Sequence, residues 1–303
     1  MALTEAQQIN AFMRSNPDLM LYIKDQAAYQ RYLKAVDELE WVHTLSVPKL
    51  DWSDFLNQPD PEPIEFEAVH TAAAQKKIAT FNPNGVYRWL GLLNWKRTRL
   101  QKALESAEKN DQAIYEQRCR ERESELEQLR EKRVMAQRLF AGETEARLEV
   151  LAEWLDWSLL QAVGAEIRFE VFEEDGFLDV NVIYPIDQVV PDHDIIKAKN
   201  HEIKLKKKGK KAYYALYKAH VLSLMVYVAR LVMAGMPDNQ CRVNLFDDVG
   251  EDEALLIVSL CVHRDQLAQL DLNQDLDAIM TELGANYAFR ITKCYKNVSH
   301  CPC

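Results

Sequence analysis

The fold is decided by residues 177–217, which read FLDVNVIYPIDQVVPDHDIIKAKNHEIKLKKKGKKAYYALY. The first eight residues alternate between apolar and polar side chains, which is the period of a β-strand with one buried face. Prolines at 185 and 191 then indicate a crossing connection, and a lysine-dense segment leads into a long apolar stretch. This order predicts a strand, a crossing and the start of a central helix.

A second strand is predicted immediately before this one. Residues 165–185 read AEIRFEVFEEDGFLDVNVIYP and alternate on both sides of Asp175-Gly176. An Asp-Gly pair between two alternating runs is typical of a β-hairpin with a type I′ turn. The apolar positions of both arms should cover one core, which leaves Asp179 and Asn181 on the outward face.

The rest of the C-terminal region completes this sheet. Residues 211–234 are apolar on nearly all sides, which predicts a central and well-covered helix. CRVNLF at 241–246 and EALLIVSLCV at 253–262 are predicted to be further strands, and 264–284 to be helical with a break near Asp271. Residues 162–303 are therefore predicted to form an α/β domain with a mostly antiparallel sheet.

The preceding residues are predicted to be helical. We expect a helical N-terminal region at 1–100, interrupted by a proline-rich connector at 45–66 in which helices should stop. Residues 101–161 predict a long charged helix or helical hairpin, followed from 145 by a buried helix. Because the apolar heptads are interrupted, the sequence does not decide how this helix is arranged. It could be a protruding helix, an antiparallel hairpin that turns near Gly142, or one strand of a dimeric coiled coil. The predicted fold class is thus α+β.

Composition excludes several broad classes of protein. The net charge of −10 and pI near 5.3 mean that nothing global attracts nucleic acid or an anionic membrane. No window approaches the roughly 18 uninterrupted apolar residues of a spanning helix. The first residues show no basic segment followed by an apolar one, so we expect no secretory signal, mostly reduced cysteines and a cytoplasmic location.

The lysine-rich segment is the clearest candidate site. We predict a nucleic-acid-binding role for its eight lysines: Lys197, Lys199, Lys204, Lys206, Lys207, Lys208, Lys210 and Lys211. Tyr213, Tyr214 and Tyr217 follow it and could stack on bases, although helix packing is the more ordinary role for them. Two other interpretations stay open: a solvated strand edge whose lysines prevent edge pairing, and docking onto an acidic protein surface.

Other motifs indicate no cofactor and no clear catalytic site. Asp179 with Glu202 and Lys204 could form a minimal magnesium-dependent nuclease site, but a chain this rich in acids and lysines yields such triplets by chance. Cys294, His300, Cys301 and Cys303 have zinc-ligand chemistry without the usual C-x2-C spacing, so an adventitious disulfide is the preferred interpretation. The nine glycines are scattered singly, and no phosphate-binding loop is predicted.

Several short motifs suggest a family. The closest pieces are Pro185, Val189-Val190-Pro191 and Lys197-Ala198-Lys199 with Glu202-Ile203. In this order, residues 85–290 resemble the region of bacterial type IV-like restriction endonuclease proteins in which a coiled-coil lead-in and an α/β module precede the nuclease domain. No such nuclease domain is expected within these 303 residues.

The resemblance implies an accessory role in antiphage defence or DNA handling. The prediction from sequence is therefore a non-catalytic accessory protein of a bacterial defence or DNA-processing system, with nucleic acid as a partner. A homodimer or a protein partner is expected to bind through the helical region. The alternatives are the minimal nuclease and a structural scaffold without nucleic-acid contact.

Overall fold

A computed structural model describes residues 3–4, 7–8, 11, 26–82, 93–172, 177–197, 203–248, 254–291 and 294–302, without side chains at 26–29, 93, 197 and 203–205. The predicted α+β class is confirmed, with a mixed sheet, a long charged helix and a long apolar helix packed on the sheet. The chain forms two compact units, residues 52–137 and residues 1–51 together with 138–303. Residues 1–51 thus group with the α/β part.

The unit of residues 52–137 is helical. It contains α2 (Trp52–Asn57), α3 (Val69–Ala79) and most of α4 (Leu93–Phe140), which is 48 residues long. The prediction that helices stop throughout the connector was wrong at α2. The reason is that Pro48 and Pro59 leave a proline-free window between them, in which buried Trp52 gives the short helix an anchor.

One stripe of α4 contacts the connector of the same chain. Phe66 packs edge-on against Tyr115 at 5.5 Å between ring centroids. The guanidinium of Arg122 donates to the carbonyl oxygen of Pro61 at 3.1 Å, and Arg133 pairs with Asp60 at 2.7 Å. These contacts explain the sparse apolar positions of α4, because carbonyls and carboxylates of the connector take the place of apolar partners.

Asp111 caps α3 from the side of α4. Its two carboxylate oxygens accept the backbone N–H groups of His70 at 3.0 Å and Thr71 at 2.7 Å, which lie in the first turn of α3. Burial alone would raise the pKa of this carboxyl, but the hydrogen bonds from Thr71 and His70 outweigh it and lower the pKa. A carboxylate at a helix N-terminus stabilises both the unpaired N–H groups and the helix dipole.

Replacing Asp111 should therefore loosen α3 specifically. We expect Asp111→Ala to speed proteolytic cleavage within 69–79 and to lower the thermal midpoint, while Asp111→Asn, which keeps one acceptor, should have the smaller effect. Limited proteolysis with mass spectrometry measures the rate of cleavage within 69–79, and thermal unfolding followed by circular dichroism measures the midpoint. The matched control is Gln112→Ala at the exposed neighbouring position, which changes only the surface of α4. Equal effects at both positions would contradict the capping role.

The other unit contains α1 (Gln26–Glu40) and a 3₁₀ turn (Val42–Thr44) before α4, and α5 (Thr144–Glu149) after it. The single buried helix predicted from 145 to 161 was wrong. A π-helical turn (Val150–Trp154) follows α5, Leu155 is extended, and α6 (Ser158–Gln161) starts afresh. Asp156 causes the restart, because its carboxylate accepts the backbone N–H of Ser158 at 3.0 Å.

The central sheet has six strands in the order β1-β2-β5-β6-β7-β8. They are β1 (Glu166–Phe172), β2 (Phe177–Tyr184), β5 (Gln240–Asp247), β6 (Leu255–His263), β7 (Asn286–Arg290) and β8 (Cys294–Lys296). The β1–β2 hairpin is confirmed, while its turn at Asp175-Gly176 lies outside the described residues. Every pairing is antiparallel except β2 with β5.

The crossover between the parallel strands carries the remaining elements. It runs through α7 (Ile186–Val189), the two-stranded pair β3 (His193–Lys197) and β4 (Ile203–Lys207), and α8 (Lys210–Gly235). The helices α9 (Arg264–Gln269) and α10 (Leu276–Glu282) follow β6, and the predicted break near Asp271 lies between them.

Helix α8 is the core of this unit. It packs against β5, β6 and α1, and sixteen of its residues are buried. By length and composition alone α8 is the one helix in the described residues that could cross a membrane, yet 83% of its most apolar window is buried inside the protein. That burial is the pattern of a core helix, because the apolar surface is already covered by the chain itself.

Candidate nucleic-acid interface

The lysine-rich segment forms a β-hairpin that leads into α8. In β3 and β4, Asp194 lies opposite Lys206 and His193 opposite Lys207. Gly209 then precedes α8, which starts at Lys210. Residues 206 and 207 of β4 and residues 210 and 211 in the first turn of α8 face solvent, where lysine side chains keep their hydration. The hairpin and the helix start therefore bring the described lysines to one end of the sheet-and-helix unit.

Lys208 has a different role from its neighbours. Its ammonium group forms an ion pair with Asp194 and donates to the phenol oxygen of Tyr32 at 3.2 Å. Only 7% of the Lys208 side chain is exposed. Because this charge is already neutralised and shielded, Lys208 holds the hairpin onto α1 and offers little to a phosphate.

Four lysines stay exposed at this end of the unit: Lys206, Lys207, Lys210 and Lys211. Within the described ranges, none of the four forms an ion pair. Lys197 and Lys204 lie in β3 and β4 by their backbone, and Lys199 lies outside the described residues. The candidate site thus contains four exposed, unpaired lysines among the described residues, which is fewer than the eight lysines predicted from the sequence.

The same end of the unit contains a pocket of about 410 Å³, whose lining includes Lys207, Lys208, Lys210, Tyr213, Tyr214, Tyr217, Asp187, Asp192, Asp247 and Cys294. Tyr213 donates to Asp187 at 2.7 Å and Tyr217 to Asp247 at 2.6 Å. Burial and the charge of Asp247 raise the pKa of Tyr217 far above its usual range, so this phenol stays a hydrogen-bond donor. Three of the predicted lysines, Lys207, Lys208 and Lys210, therefore line the same pocket as the three tyrosines.

The pocket lies where a sheet of this kind commonly binds ligands. Strands β2 and β5 are parallel, and they end at Tyr184 and Asp247. Ligands of α/β sheets usually bind beyond the carboxyl ends of parallel strands, at the point where the chain crosses from one strand to another. Asp247 is the last residue of β5, and Asp187 follows the end of β2 by three residues.

The nuclease triplet is not assembled among the described residues. Asp179 lies in the six-stranded sheet, Lys204 lies in the separate β3–β4 pair, and Glu202 lies outside the described residues. Asp179 is also ion-paired with Arg242. Across the ranges that the structure describes, no group of three or more His, Cys, Asp or Glu residues could hold a metal ion.

A buried polar network on the sheet was missed by the sequence analysis. Asp179 is only 2% exposed, and Arg242 donates to its Oδ2 from Nε at 3.1 Å. Asn244, fully buried, donates from Nδ2 to Asp179 Oδ1 at 2.6 Å and to Asn181 Oδ1 at 2.8 Å. Asp179 does lie on the face of the sheet opposite the core, as predicted, but it is buried there because strand β5 beside it supplies polar partners.

The C-terminal segment completes this network. Ser259 donates to Asn244 Oδ1 at 2.7 Å and accepts the backbone N–H of Cys301 at 2.7 Å. His300 lies 3.2 Å from the same oxygen of Asn244 through its Nδ1. The signal available in the sequence was the repetition of polar residues at alternate positions of two strands, Asp179 and Asn181 with Arg242 and Asn244.

The cysteines give no metal centre in the described part of the chain. Cys301 contacts the carbonyl oxygen of Gly284 through its thiol, and His300 contacts Asn244, so the two side chains have separate partners. Cys294 and Cys301 are free thiols, whereas Cys261 is disulfide-bonded. Cys303 lies outside the described residues.

Comparison with known proteins adds no family to these observations. No protein-family model matches the chain, and neither a curated protein nor a solved structure matches it.

Proposed function

We propose that this protein is a non-catalytic nucleic-acid-binding protein that contacts the phosphate backbone through Lys206, Lys207, Lys210 and Lys211. The observation that carries the proposal is the cluster of these four exposed lysines, unpaired within the described residues, beside a pocket that contains three tyrosines. Lysines that neutralise phosphates release bound counterions, which supplies most of the affinity of such sites.

Single strands are the favoured form of nucleic acid. The half-buried rings of Tyr213 and Tyr214 lie 5.5 Å apart and give the pocket aromatic surface, whereas Tyr217 is buried behind them. Unpaired bases can stack on such faces, whereas a duplex keeps its bases stacked on one another. Two of the three carboxylates of the pocket, Asp187 and Asp247, accept tyrosine hydroxyls, which reduces their repulsion of a phosphate, and Asp192 contacts Nδ1 of His193.

The wider biological role rests on the sequence resemblance alone. Under this proposal the protein acts in the cytoplasm as an accessory component of a bacterial defence or DNA-processing system, as the resemblance of residues 85–290 implies. Self-association through the helical region is part of the same proposal. Sedimentation velocity over a range of protein concentrations measures self-association directly. A single monomeric species at every concentration would contradict this part of the proposal.

The proposal is tested by neutralising the four lysines. We expect Lys206, Lys207, Lys210 and Lys211 changed together to Gln to weaken binding of a fluorescent single-stranded oligonucleotide at least about tenfold at low salt. Because each phosphate contact contributes about 0.7 to the salt slope for single strands, the slope should fall by as much as roughly 3. Fluorescence anisotropy at several salt concentrations measures both quantities, for single-stranded DNA, single-stranded RNA and duplex DNA.

A matched variant separates local contacts from total charge. Lys76, Lys77, Lys102 and Lys109 are exposed and lie in the other unit, so changing them to Gln removes the same charge elsewhere. This control should bind as the unmodified protein does. If both variants bind the oligonucleotide equally weakly, the loss of affinity comes from net charge and not from a local site. If the unmodified protein binds no nucleic acid at low salt, the proposal is wrong and the interpretation as a structural scaffold is favoured.

A further inference from the structure

The outer face of the central sheet contains a second pocket, of about 540 Å³. Its volume lies within the range of about 300–1,000 Å³ that is usual for small-molecule sites. Alternation along the strands produces it: Leu178 and Val180 of β2 and Val243 of β5 are buried in the core, which turns Asp179, Asn181 and Asn244 to the opposite face.

The floor of this pocket has a fixed hydrogen-bond pattern. Asn244 donates from Nδ2 to both Asp179 and Asn181, so its Oδ1 is the acceptor for Ser259 and for Nδ1 of His300. His300 in its neutral form therefore carries its proton on Nδ1 and keeps Nε2 as an acceptor. The amide oxygen of Asn181 is likewise occupied, which leaves its Nδ2 hydrogens to the pocket that it lines.

The charges of the pocket favour a ligand that donates hydrogen bonds. Glu170 of β1 lies directly opposite Asp179 of β2, and like charges in this position destabilise a sheet. Arg242 compensates Asp179, while Arg168 pairs with Glu166 at 2.8 Å. In the part of the chain that the structure describes, Glu170 has no cationic partner. A ligand that donates to Glu170 and to Nε2 of His300 would relieve this imbalance without bringing a negative charge of its own.

The walls favour a flat ring. Phe172, Phe246 and Ile183 line the pocket beside these polar groups. Phe246 lies 6.5 Å from His300 between ring centroids, and the guanidinium of Arg242 lies over the ring of Phe172 at 6.0 Å. Aromatic faces stack well on planar, conjugated rings, and a saturated amine would leave Nδ2 of Asn181 without an acceptor.

We propose that this pocket binds a nucleobase with an exocyclic amino group, such as adenine or cytosine. The amino group donates to Glu170 or His300, the neighbouring ring nitrogen accepts from Nδ2 of Asn181, and the ring stacks on Phe246, which lies beside His300. A uracil ring has no exocyclic amino group and is bound more weakly. This site does not depend on the lysines of the proposed function, since a nucleoside without phosphate carries all the groups required.

Calorimetric titration with adenosine, cytidine and uridine, which carry no phosphate, tests the pocket separately from the lysines. We expect saturable one-to-one binding of adenosine or cytidine and about tenfold weaker binding of uridine, because a hydrogen bond within a pocket is worth about that factor. Asn181→Leu should weaken the preferred nucleoside about tenfold. Glu170→Ala, at an exposed position where the fold tolerates change, should also weaken it, and Asn110→Leu on α4 is the matched control.

The base could come from a nucleic-acid strand or from a free nucleoside. An oligonucleotide of the preferred base and an abasic oligonucleotide of the same length distinguish these two sources. If the pocket reads a base within a strand, Asn181→Leu weakens only the first; if it takes free nucleosides, neither changes. No saturable binding of any nucleoside would overturn the proposal, as would unchanged affinity in both pocket variants. Binding of putrescine as tight as that of the nucleosides would also overturn it, because it would show a site for amines.

Discussion

Acidification from pH 7 to pH 5 is expected to lower the free energy of unfolding by about 2 kcal/mol through His220 alone. His220 is fully buried in α8, where its Nε2 accepts the hydroxyl of Tyr184 at 3.0 Å and its Nδ1 donates to the carbonyl oxygen of Leu39 at 3.0 Å. Burial lowers the pKa of this imidazole from 6.5 to about 4, because the charged form has no solvent around it.

The sign of the effect follows from this lowered pKa. Above pH 6.5 the imidazole is neutral in both the folded and the unfolded chain, so the full stability is present. Between pH 6.5 and about 4 the unfolded chain takes up the proton and the folded chain does not, which costs about 1.4 kcal/mol for each pH unit. Below the folded pKa the loss is complete, at about 3 kcal/mol.

Urea unfolding at pH 7 and pH 5 measures this loss, with His220→Asn as the comparison. Asparagine keeps a donor and an acceptor but does not titrate, so the pH dependence of the variant should be smaller by about 2 kcal/mol. Burial also lowers the pKa of His43, but that group is common to both proteins and cancels. If both proteins lose the same stability on acidification, the buried neutral His220 is not the source.

Asp179→Ala is expected to lower the free energy of unfolding by about 3 kcal/mol. The Asp179 and Arg242 side chains are 3% and 17% exposed, and removing one partner leaves the other charge largely buried. Arg242 would retain its contacts with the rings of Phe172 and Phe177, which do not neutralise it. Arg242→Met should also destabilise the protein, because it leaves the carboxylate without its guanidinium.

A double-mutant cycle isolates the ion pair from the residues that form it. The combined Asp179→Ala and Arg242→Met variant should lose less stability than the sum of the two single changes, since neither charge is then left alone. The matched control is the exposed pair of Glu166 and Arg168 on β1, at 2.8 Å, where Glu166→Ala should leave the urea midpoint unchanged. Strict additivity of the two core changes would show that the pair is not coupled.

These two predictions depend on contacts that no local pattern contains. His220 stands in the sequence as one polar residue of an apolar helix, and its partners Tyr184 and Leu39 lie 36 and 181 positions away. Asp179 satisfies the alternation of β2 in the same way whether its face is solvated or covered. Its burial follows from the pairing of β2 with β5, which places Asn244 and Arg242 beside it.

In the candidate interface, too, some features were predictable from the sequence and others required the tertiary structure. The lysine density of residues 197–211 was visible in the sequence, as were the tyrosines after it. Lys208 could not be separated from its neighbours there, because its pairing with Asp194 and Tyr32 requires the β3–β4 hairpin to pack on α1. The tertiary structure therefore narrowed the site to four exposed lysines and added the pocket beside them.

By itself the sequence determined the α+β class, the β1–β2 hairpin, the central helix and the long charged helix. Side-chain periodicity specifies these features, because each element must bury one face or, for α8, nearly all of its surface. Only the tertiary structure decided the parallel pairing of β2 with β5, the break of the helix predicted at 145–161 and the polar network on the sheet. Those features depend on groups far apart in the chain, whose free energies of burial and hydrogen bonding exist only once the strands and helices have packed.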